Sequence, residues 1–347
     1  MQKMNPLKFG ITLSNRGVVL GARTPRDLLR LADRAEENPL LDSVWVGDAL
    51  FVNRRLDAIP LLAAIAGRTE RILLGPAAMG SFALRNPLVF AYEWASMDQI
   101  ANGRMRLIVA AGGGGADLWN AESAALGVPP AERRQRMYEH IRILKHLWSS
   151  DKRAFEGRFY RFEDLVLEPK PVNPECPIWT ATNATRLASG VANTGSSGSD
   201  YALRQCGRFA DGWMTHSAAP QAIFDSWNRI LAVARESGRS TDHFDNCIYH
   251  HICIDEDRDR ALHEAKSFLD RYYSANYTRE RLETWLTYGS PRDCIESLKA
   301  FRGCGAKRFT FRLSTETREA QQFDRLVSEV LPYVNEGDQR FDGAGAM

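Results

Sequence analysis

The sequence lacks the features that mark secreted, membrane-spanning and nucleic-acid-binding proteins. Its six cysteines among 347 residues are scattered without a C-x-x-C pair, which argues against a disulfide framework. No apolar run approaches the length that crosses a bilayer, and the start MQKMNPLKFGITLS lacks the apolar core of a signal peptide. The formal net charge is only +2, without a block of Lys and Arg, so neither nucleic acid nor an anionic membrane is expected as a partner. We therefore expect a cytoplasmic protein with reduced thiols.

What the sequence does contain is a regular alternation of strand and helix patterns. Strand-like segments such as RILLGPAAM and RLIVAA are apolar at successive positions, as strands buried on both faces are. Between them lie amphipathic helices, such as TPRDLLRLADRAEE with Thr24 as its N-cap and Pro25 in its first turn. Eight such units predict an α/β fold, a (β/α)8 TIM barrel with insertions, as a single domain over residues 1–335. The tail 336–347 has no apolar pattern and is expected to be disordered.

The carboxyl ends of the predicted strands are where a barrel of this kind binds its ligands. In this sequence those positions are rich in glycine, alanine and other small residues and poor in titratable side chains. They show no Ser-His-Asp order, no facing pair of carboxylates and no G-x-x-x-x-G-K-[ST] motif. A pocket that presents backbone in this way is typical of a large planar cofactor that carries the chemistry itself.

Several segments resemble the bacterial luciferase-like family of flavin-dependent monooxygenases. They are the long segment from RLDAIPLLAAIAGRTERILLGPAAMG to NGRMRLIVAAGGGG, and also WVGD, RFADGWMTH and YGSPRDCIESLKAFRGCGAKRFTF. The resemblance covers most of the chain in order and implies a (β/α)8 barrel. It also implies either reduced FMN (FMNH2), usually delivered by a separate reductase, or a deazaflavin that passes hydride.

From this resemblance we expect a two-component FMNH2-dependent monooxygenase. Such an enzyme adds O2 to the flavin as a C4a-hydroperoxide and oxygenates a small organic substrate. Its partners would be an NAD(P)H:flavin reductase and a second copy of the chain in a homodimer. The alternatives are a deazaflavin-dependent hydride-transfer oxidoreductase and, third, a non-catalytic flavin-binding protein.

Two segments are candidates to hold the cofactor phosphate. Gly195, Ser196 and Ser197 precede the helical pattern SDYALRQCGRFA, and free N–H groups at a helix start together with hydroxyls favour an anion. The resemblance implies an FMN phosphate at this turn, whereas composition alone equally suits a solvated loop. The spacing from the preceding strand is longer than the family usually has. The end of that strand, with Thr182, Asn183 and Thr185, is therefore the other candidate.

Small residues at two further strand ends are candidates to contact the flavin ring. Ala77 and Ala78 in LLGPAAMG would let the backbone approach the ring closely, and relatives often have a bulge and a strained peptide there. Gly112 and Gly113 open a run of four glycines, which suits either a ligand or a sharp turn. A plain buried strand explains the alanines equally well.

Asp48 ends the second strand, in WVGD, at a position that lies near the flavin in relatives, and the resemblance makes it a candidate catalytic residue. Deazaflavin members that take hydride from an alcohol commonly have Asp-His here, with the histidine as base. This chain has Asp48 followed by Ala49, which argues against the alcohol-dehydrogenating branch.

The segment CIYHHIC contains Cys and His at metal-like density, yet it predicts no metal site. Strand alternation spreads Cys247, Tyr249, His251 and Cys253 along one face, so adjacent side chains could share an ion but Cys247 and Cys253 hardly could. His251 is instead expected to point into the barrel and to hydrogen-bond a flavin hydroperoxide, or else to be a packed core histidine. His216, at the end of the sixth strand, has the same two interpretations. Further candidates are Arg312, for an anion, and five aromatic residues for the substrate pocket: Phe51, Trp94, Trp119, Phe159 and Trp179.

Overall fold

The strands of the fold alternate with helices along the chain. The computed structural model describes residues 6–112, 117–149, 154–173, 176–184 and 200–336. In chain order the strands are β1 (Lys8–Leu13), β2 (Leu41–Val46), β3 (Leu73–Pro76), β4 (Leu107–Val109), β5 (Phe155–Glu156), β6 (Arg161–Phe162), β7 (Ile178–Ala181), β8 (Gly212–His216), β9 (Asp245–Ile254), β10 (Leu286–Gly289) and β11 (Arg308–Leu313).

Eight parallel strands form a nearly closed barrel in the order β3-β2-β1-β11-β9-β8-β7-β4. Single bridges between Leu74 and Met105, and between Met79 and Val109, connect β3 to β4 and close the ring. The predicted (β/α)8 barrel is therefore confirmed, and all eight predicted strands lie where the apolar patterns placed them. Strands β5 and β6 form a small antiparallel hairpin between the fourth and fifth barrel strands.

The helices pack around the barrel. They are α1 (Pro25–Glu37), α2 (Ala58–Ala66), α3 (Pro87–Ile100), α4 (Asp117–Ala125), α5 (Arg133–Ser149), α6 (Asp200–Phe209), α7 (Pro220–Glu236), α8 (Arg258–Tyr273), α9 (Arg279–Glu283), α10 (Pro291–Lys299), α11 (Glu319–Arg325) and α12 (Leu331–Val334), the last two joined by a π-helical segment, Leu326–Val330. None of the helices in the described ranges is long and apolar enough to cross a membrane.

Helix α1 begins where the sequence predicted it to begin. The Thr24 side chain accepts a hydrogen bond from the Asp27 amide, and the Asp27 carboxylate accepts one from the Thr24 amide, which completes a capping box. Its buried positions are Leu28, Leu31, Ala32 and Ala35, the apolar face that the spacing indicated. Local sequence therefore fixes both the start of the helix and the side that packs on the barrel.

The barrel interior is filled by large side chains below its carboxyl-terminal mouth. Trp45 and Trp179 pack at 6.1 Å between ring centroids, in one cluster with Ile108 and Cys247. At the amino-terminal end Arg308 is buried, and it pairs with Asp42 and, at 3.2 Å, with Asp245. The interior is thus solid below the mouth, and any ligand site must lie above these layers.

Strand β3 is irregular where it reaches the mouth. Between its two bridges to β4, the β3 side contains one residue more than the β4 side, which is the geometry of a β-bulge. The peptide between Ala77 and Ala78 within this bulge is cis. The bulge therefore lies at the position where the resemblance implied one.

Strand β9 changes its neighbour halfway along. Its first half pairs with β8, from Gly212↔Asp245 to His216↔Tyr249. Ser217 then donates to the Tyr249 carbonyl, and from His251 onward β9 pairs with the shorter β10, which the sequence did not predict. The barrel wall therefore forks at β9.

Candidate active site

A cavity of about 720 Å³ opens at the carboxyl-terminal end of the barrel. This volume lies within the range of roughly 300–1,000 Å³ that small-molecule and cofactor sites occupy. Residues from the ends of β2, β3, β4, β7, β8, β9 and β11 line it, together with residues of α4, α5, α6 and α8. The cavity thus lies where the barrel fold predicts a ligand site.

One half of the cavity wall, at the ends of β3, β4 and β7, is made of small residues and backbone. It is lined by Ala77, Ala78, Gly80, Ala110, Ala111, Gly112, Ala181, Thr182 and Asn183. Five of the predicted cofactor contacts are thereby brought together: Ala77, Ala78, Gly112, Thr182 and Asn183. Gly113 and Thr185, and the predicted phosphate turn of Gly195, Ser196 and Ser197, lie outside the described residues, as does the tail beyond residue 336.

Gly112 is held in a conformation that a larger residue would not tolerate. Its φ is +62°, and a Cβ there would collide with the Gly80 carbonyl oxygen and the Arg133 guanidinium. Arg133 itself donates to the Gly80 carbonyl at 2.9 Å and to the Ala111 carbonyl at 2.9 Å. The ends of β3 and β4 are therefore fixed against each other by one buried arginine, and only glycine fits between them.

A carboxylate keeps this arginine in place. Arg133 lies 3.5 Å from Glu122 of α4, and Glu122 also accepts hydrogen bonds from the amides of Phe51 and Val52. The pair consequently joins the loops that follow β2, β3 and β4.

Asp48 lies at the cavity wall and is itself anchored. Its side chain accepts a hydrogen bond from the Ser81 amide at 2.8 Å and lies 3.4 Å from the Arg85 guanidinium. Burial raises the pKa of Asp48, and the positive charge of Arg85 opposes that shift. The predicted catalytic Asp48 thus reaches the cavity while connecting the β2 and β3 loops.

His216 projects from the end of β8 into the cavity. Its ring contacts Tyr249 at 5.1 Å and Trp285 at 5.8 Å between centroids. The His216 side chain is exposed at the barrel mouth, where desolvation and the positive charges of Arg281 and Arg312 lower its pKa from the ordinary value. The imidazole is therefore neutral at neutral pH.

His251 does not line the cavity, in contrast to the expectation that it reaches a bound ligand. It is fully buried, and its Nδ1 lies 3.3 Å from the Ser314 hydroxyl. Tyr249 and Tyr273 pack against its ring and line the cavity instead. The structure thus matches the second interpretation of His251, that of a packed core histidine.

His250 points to the other side of the strand, as alternation predicted, and its Nε2 lies 2.7 Å from the Thr287 hydroxyl.

The other half of the cavity wall is formed by Arg312 and tyrosines. Arg312 is 1% exposed; its Nε donates to the Tyr249 hydroxyl and its Nη1 to the Ser14 hydroxyl at 3.1 Å. Its guanidinium lies 4.5 Å from the centroid of the Tyr272 ring. This half therefore offers hydrogen-bond donors and a positive charge.

Sequence reasoning missed several lining residues because it considered only strand ends. Tyr272 and Tyr273 come from the last turn of α8, and Arg55 comes from the long loop after β2. Of the five aromatic residues expected at the pocket, Trp119 lines it, whereas Phe51, Trp94, Phe159 and Trp179 do not. Among the described residues, no three His, Cys, Asp or Glu side chains are placed to hold a metal ion.

Comparisons with known sequences give relatives of nearly the same length. The chain is 25% identical to a protein of Nakamurella multipartita named F420-dependent glucose-6-phosphate dehydrogenase, covering 94% of this chain and 96% of the relative. It is also 25% identical to a protein of the same name from Amycolatopsis mediterranei, covering 89% and 94%.

Comparisons with solved structures identify the same fold. An F420-dependent secondary alcohol dehydrogenase in complex with an F420-acetone adduct matches with a TM-score of 0.74 and 20% identity, over 96% of this chain and all of that chain. The monooxygenase RslO1 from Streptomyces bottropensis matches with a TM-score of 0.75 and 19% identity, over 94% and 99%. At these identities the likeness supports the barrel and not a particular chemistry.

The expectation of a two-component FMNH2-dependent monooxygenase is wrong. The relatives that align along most of the chain are named F420-dependent dehydrogenases, so the comparisons favour the alternative, hydride transfer by a deazaflavin. FMN is accordingly not supported as the main cofactor. The resemblance could not separate the two chemistries, because enzymes of both kinds share the barrel and match over nearly the whole chain. The reductase partner and the homodimer stay predictions.

The sequence model of luciferase-like monooxygenases matches residues 7–308. This match spans most of the chain and includes all the barrel strands up to the start of β11. Together with the eight-stranded barrel and the cavity at its mouth, it identifies the chain as an oxidoreductase that belongs to the luciferase-like monooxygenase family.

Proposed function

We propose that the protein is a deazaflavin-dependent oxidoreductase that uses F420. The observation that carries the proposal is the small-residue half of the cavity, in a chain whose relatives are named for F420. When bound, the deazaflavin supplies hydride chemistry, and the protein supplies binding, orientation and electrostatics.

The residues present fit a planar tricyclic ring. Ala77, Ala78 and Gly112 place almost no side-chain volume in front of the backbone, and Arg133 holds the two strand ends at a fixed separation. Thr182 and Asn183 lie next along the ring of strands and offer polar groups for the attached chain of the cofactor. These residues would hold the ring edge and the start of its tail.

We further propose that the enzyme reduces an electron-poor substrate. Ala49, which is buried, follows Asp48 where the alcohol-dehydrogenating members commonly have a histidine base. The pKa of His216 is lowered from its ordinary value, which makes it a weak base at neutral pH. Arg312 and the tyrosines around it are donors that stabilise negative charge developing on a substrate oxygen. The cavity is thus better equipped to accept a hydride into a substrate than to remove a hydroxyl proton.

Equilibrium binding of F420 and FMN to the purified chain tests the cofactor. We expect F420 to bind at least about tenfold more tightly than FMN in either redox state, a difference of about 1.4 kcal/mol. The Ala78→Leu variant should lose most of this affinity, because the added side chain occupies the space in front of the β3 backbone. Ala320→Leu, at an exposed position of α11, is the matched control and should bind as the wild type does.

The direction of hydride transfer is tested by following the absorbance of oxidised F420 without oxygen. Reduced F420 should be reoxidised by members of a panel of conjugated carbonyl and imine compounds. Oxidised F420 with glucose 6-phosphate should show no reduction. Binding of reduced FMN without binding of F420 would contradict the proposed cofactor, and reduction of F420 by a simple alcohol would contradict the direction.

A further inference from the structure

The charges around the cavity are unbalanced on one side. Its described lining residues include three arginines, Arg55, Arg134 and Arg312, and one carboxylate, Asp48. That carboxylate already accepts the Ser81 amide and lies beside Arg85. Arginines therefore outnumber carboxylates among the described residues that line the cavity.

Two buried arginines of β11, Arg308 and Arg312, differ in their ionic partners. Arg308, at the amino-terminal end of the barrel, has two carboxylate partners, Asp42 and Asp245. Arg312, at the carboxyl-terminal end, has no carboxylate within ion-pair distance among the described residues. A buried cation without a counter-ion is costly, so such a group generally pairs with a charge of opposite sign.

The geometry leaves part of the Arg312 guanidinium available to a ligand. Nε and Nη1 are used by the Tyr249 hydroxyl, the Ser14 hydroxyl and, at 3.3 Å, the Leu13 carbonyl. Nη2 donates to no acceptor in the part of the chain that the structure describes. The two N–H groups of Nη2 can donate charge-assisted hydrogen bonds to an oxyanion.

The position of Arg312 points to the substrate rather than to the cofactor. In the ring of eight strands, β11 lies opposite β4, where the small-residue wall is. Tyr249, Tyr272 and Tyr273 surround the guanidinium and line the cavity with it. A ligand bound there would have aromatic faces beside it and the deazaflavin ring in front of it.

We propose that the substrate carries a carboxylate, and that Arg312 binds it with its Nη2 facing the cavity. The inference rests on the proposed function only in placing the cofactor at the opposite wall. A monoanion balances the charge of Arg312, the fully buried arginine among the described lining residues, whereas the second charge of a phosphate dianion would face only the half-buried Arg55 and Arg134. The substrate class is therefore an electron-poor organic acid small enough to fit between the tyrosines and the cofactor.

Benzoate and its neutral isostere benzamide are the probes, because they have nearly the same shape and differ in charge. Titration calorimetry on the F420-loaded protein should show benzoate binding at least about tenfold more tightly than benzamide, as expected for a charge-assisted hydrogen bond. Arg312→Gln should remove this preference, and Arg312→Lys should keep part of it. Arg292→Gln, exposed on α10, is the matched control and should leave the preference unchanged.

The same titrations include the results that would overturn the proposal. Equal binding of the two probes by the wild type would do so, as would an unchanged preference in Arg312→Gln. Inorganic phosphate binding more tightly than benzoate would overturn the choice of a carboxylate. If Arg312→Gln does not fold, the wild type, Arg312→Lys and Tyr249→Phe, which removes the acceptor of Nε, still decide the question.

A parallel measurement of F420 affinity separates this inference from the proposed function. Arg312→Gln should bind F420 within about twofold of the wild type, since the cofactor lies at the other wall; the corresponding free-energy difference is only about 0.4 kcal/mol. Loss of F420 binding in Arg312→Gln, or competition between benzoate and F420, would assign Arg312 to the tail of the cofactor. A wild type that prefers benzoate but does not bind F420 would leave this inference standing and reject the proposed function.

Discussion

At the scale of single residues, the cavity depends on positions where very little side chain is present. Gly112 is the most constrained of them, because its positive φ and its two close neighbours both exclude a Cβ. The sequence pointed to this position through its run of glycines. It could not show that the constraint comes from Gly80 and Arg133, which are distant along the chain.

We predict that Gly112→Ala destabilises the fold more than a matched substitution does. Gly127 has a similar φ of +67° but no atom within 4 Å of its would-be Cβ, so Gly127→Ala measures the backbone cost alone, about 1–2 kcal/mol. Crowding should add about 1–3 kcal/mol for Gly112→Ala. Urea unfolding of the two variants and the wild type gives the difference. Equal losses would mean that Gly80 and Arg133 move aside freely.

At the scale of elements, the strands and the longer helices were predictable, whereas the short elements were not. Periodicity and capping residues located all eight barrel strands and helix α1 because those signals are local. Strand β10 has four residues, and it exists because β9 extends beyond β8 and offers it a free edge. Likewise α8 ends at Tyr273, over the mouth, so its tyrosines reach the cavity through tertiary packing that no local pattern encodes.

The loops after β2, β3 and β4 should loosen together when Arg133 is removed. Arg133→Met leaves Glu122 buried without its counter-ion, which should cost about 3–5 kcal/mol in the free energy of unfolding and weaken F420 binding as well. Arg136→Met is the control on the same helix, because its ion pair with Glu132 is partly exposed and worth at most about 1 kcal/mol. Urea unfolding and F420 titration provide the two readouts. A loss for Arg133→Met no larger than that of the control would show that the pair does not fix these loops.

At the scale of the whole molecule, buried neutral histidines are spread through the fold. Burial lowers the pKa of His140 to about 4 and that of His250 to about 3, and it lowers that of His251 as well. Their ordinary value in an unfolded chain is about 6.5, so between these limits the unfolded state binds more protons than the folded state. Stability is therefore complete near pH 7 and is lost as the pH falls from about 6.5 toward 4.

His140→Gln should make this acid sensitivity smaller. Each buried histidine contributes a slope of up to about 1.4 kcal/mol per pH unit within the window, and the glutamine does not titrate. Its amide can still donate to the Phe82 carbonyl, which His140 Nδ1 approaches at 3.2 Å. Urea unfolding at several pH values between 4 and 7 measures the slope. His263→Gln, at an exposed position of α8, is the reference. A slope identical to that of the wild type would show that the pKa of His140 is the same in the folded and unfolded states.

Because β9 changes its neighbour halfway along, the rim of the barrel has two parts, the ring of eight strands and the short strand β10. Up to Tyr249, β9 is an ordinary barrel strand with a hydrogen-bonded neighbour on each edge. Beyond Tyr249, one of its edges pairs with the separate short strand β10. The chain between α8 and β10, residues 274–285, lies outside the ring of eight strands and contacts that ring through Trp285, which packs against His216 and His251. Such an arrangement allows the same barrel to bind different small molecules when this one segment is exchanged.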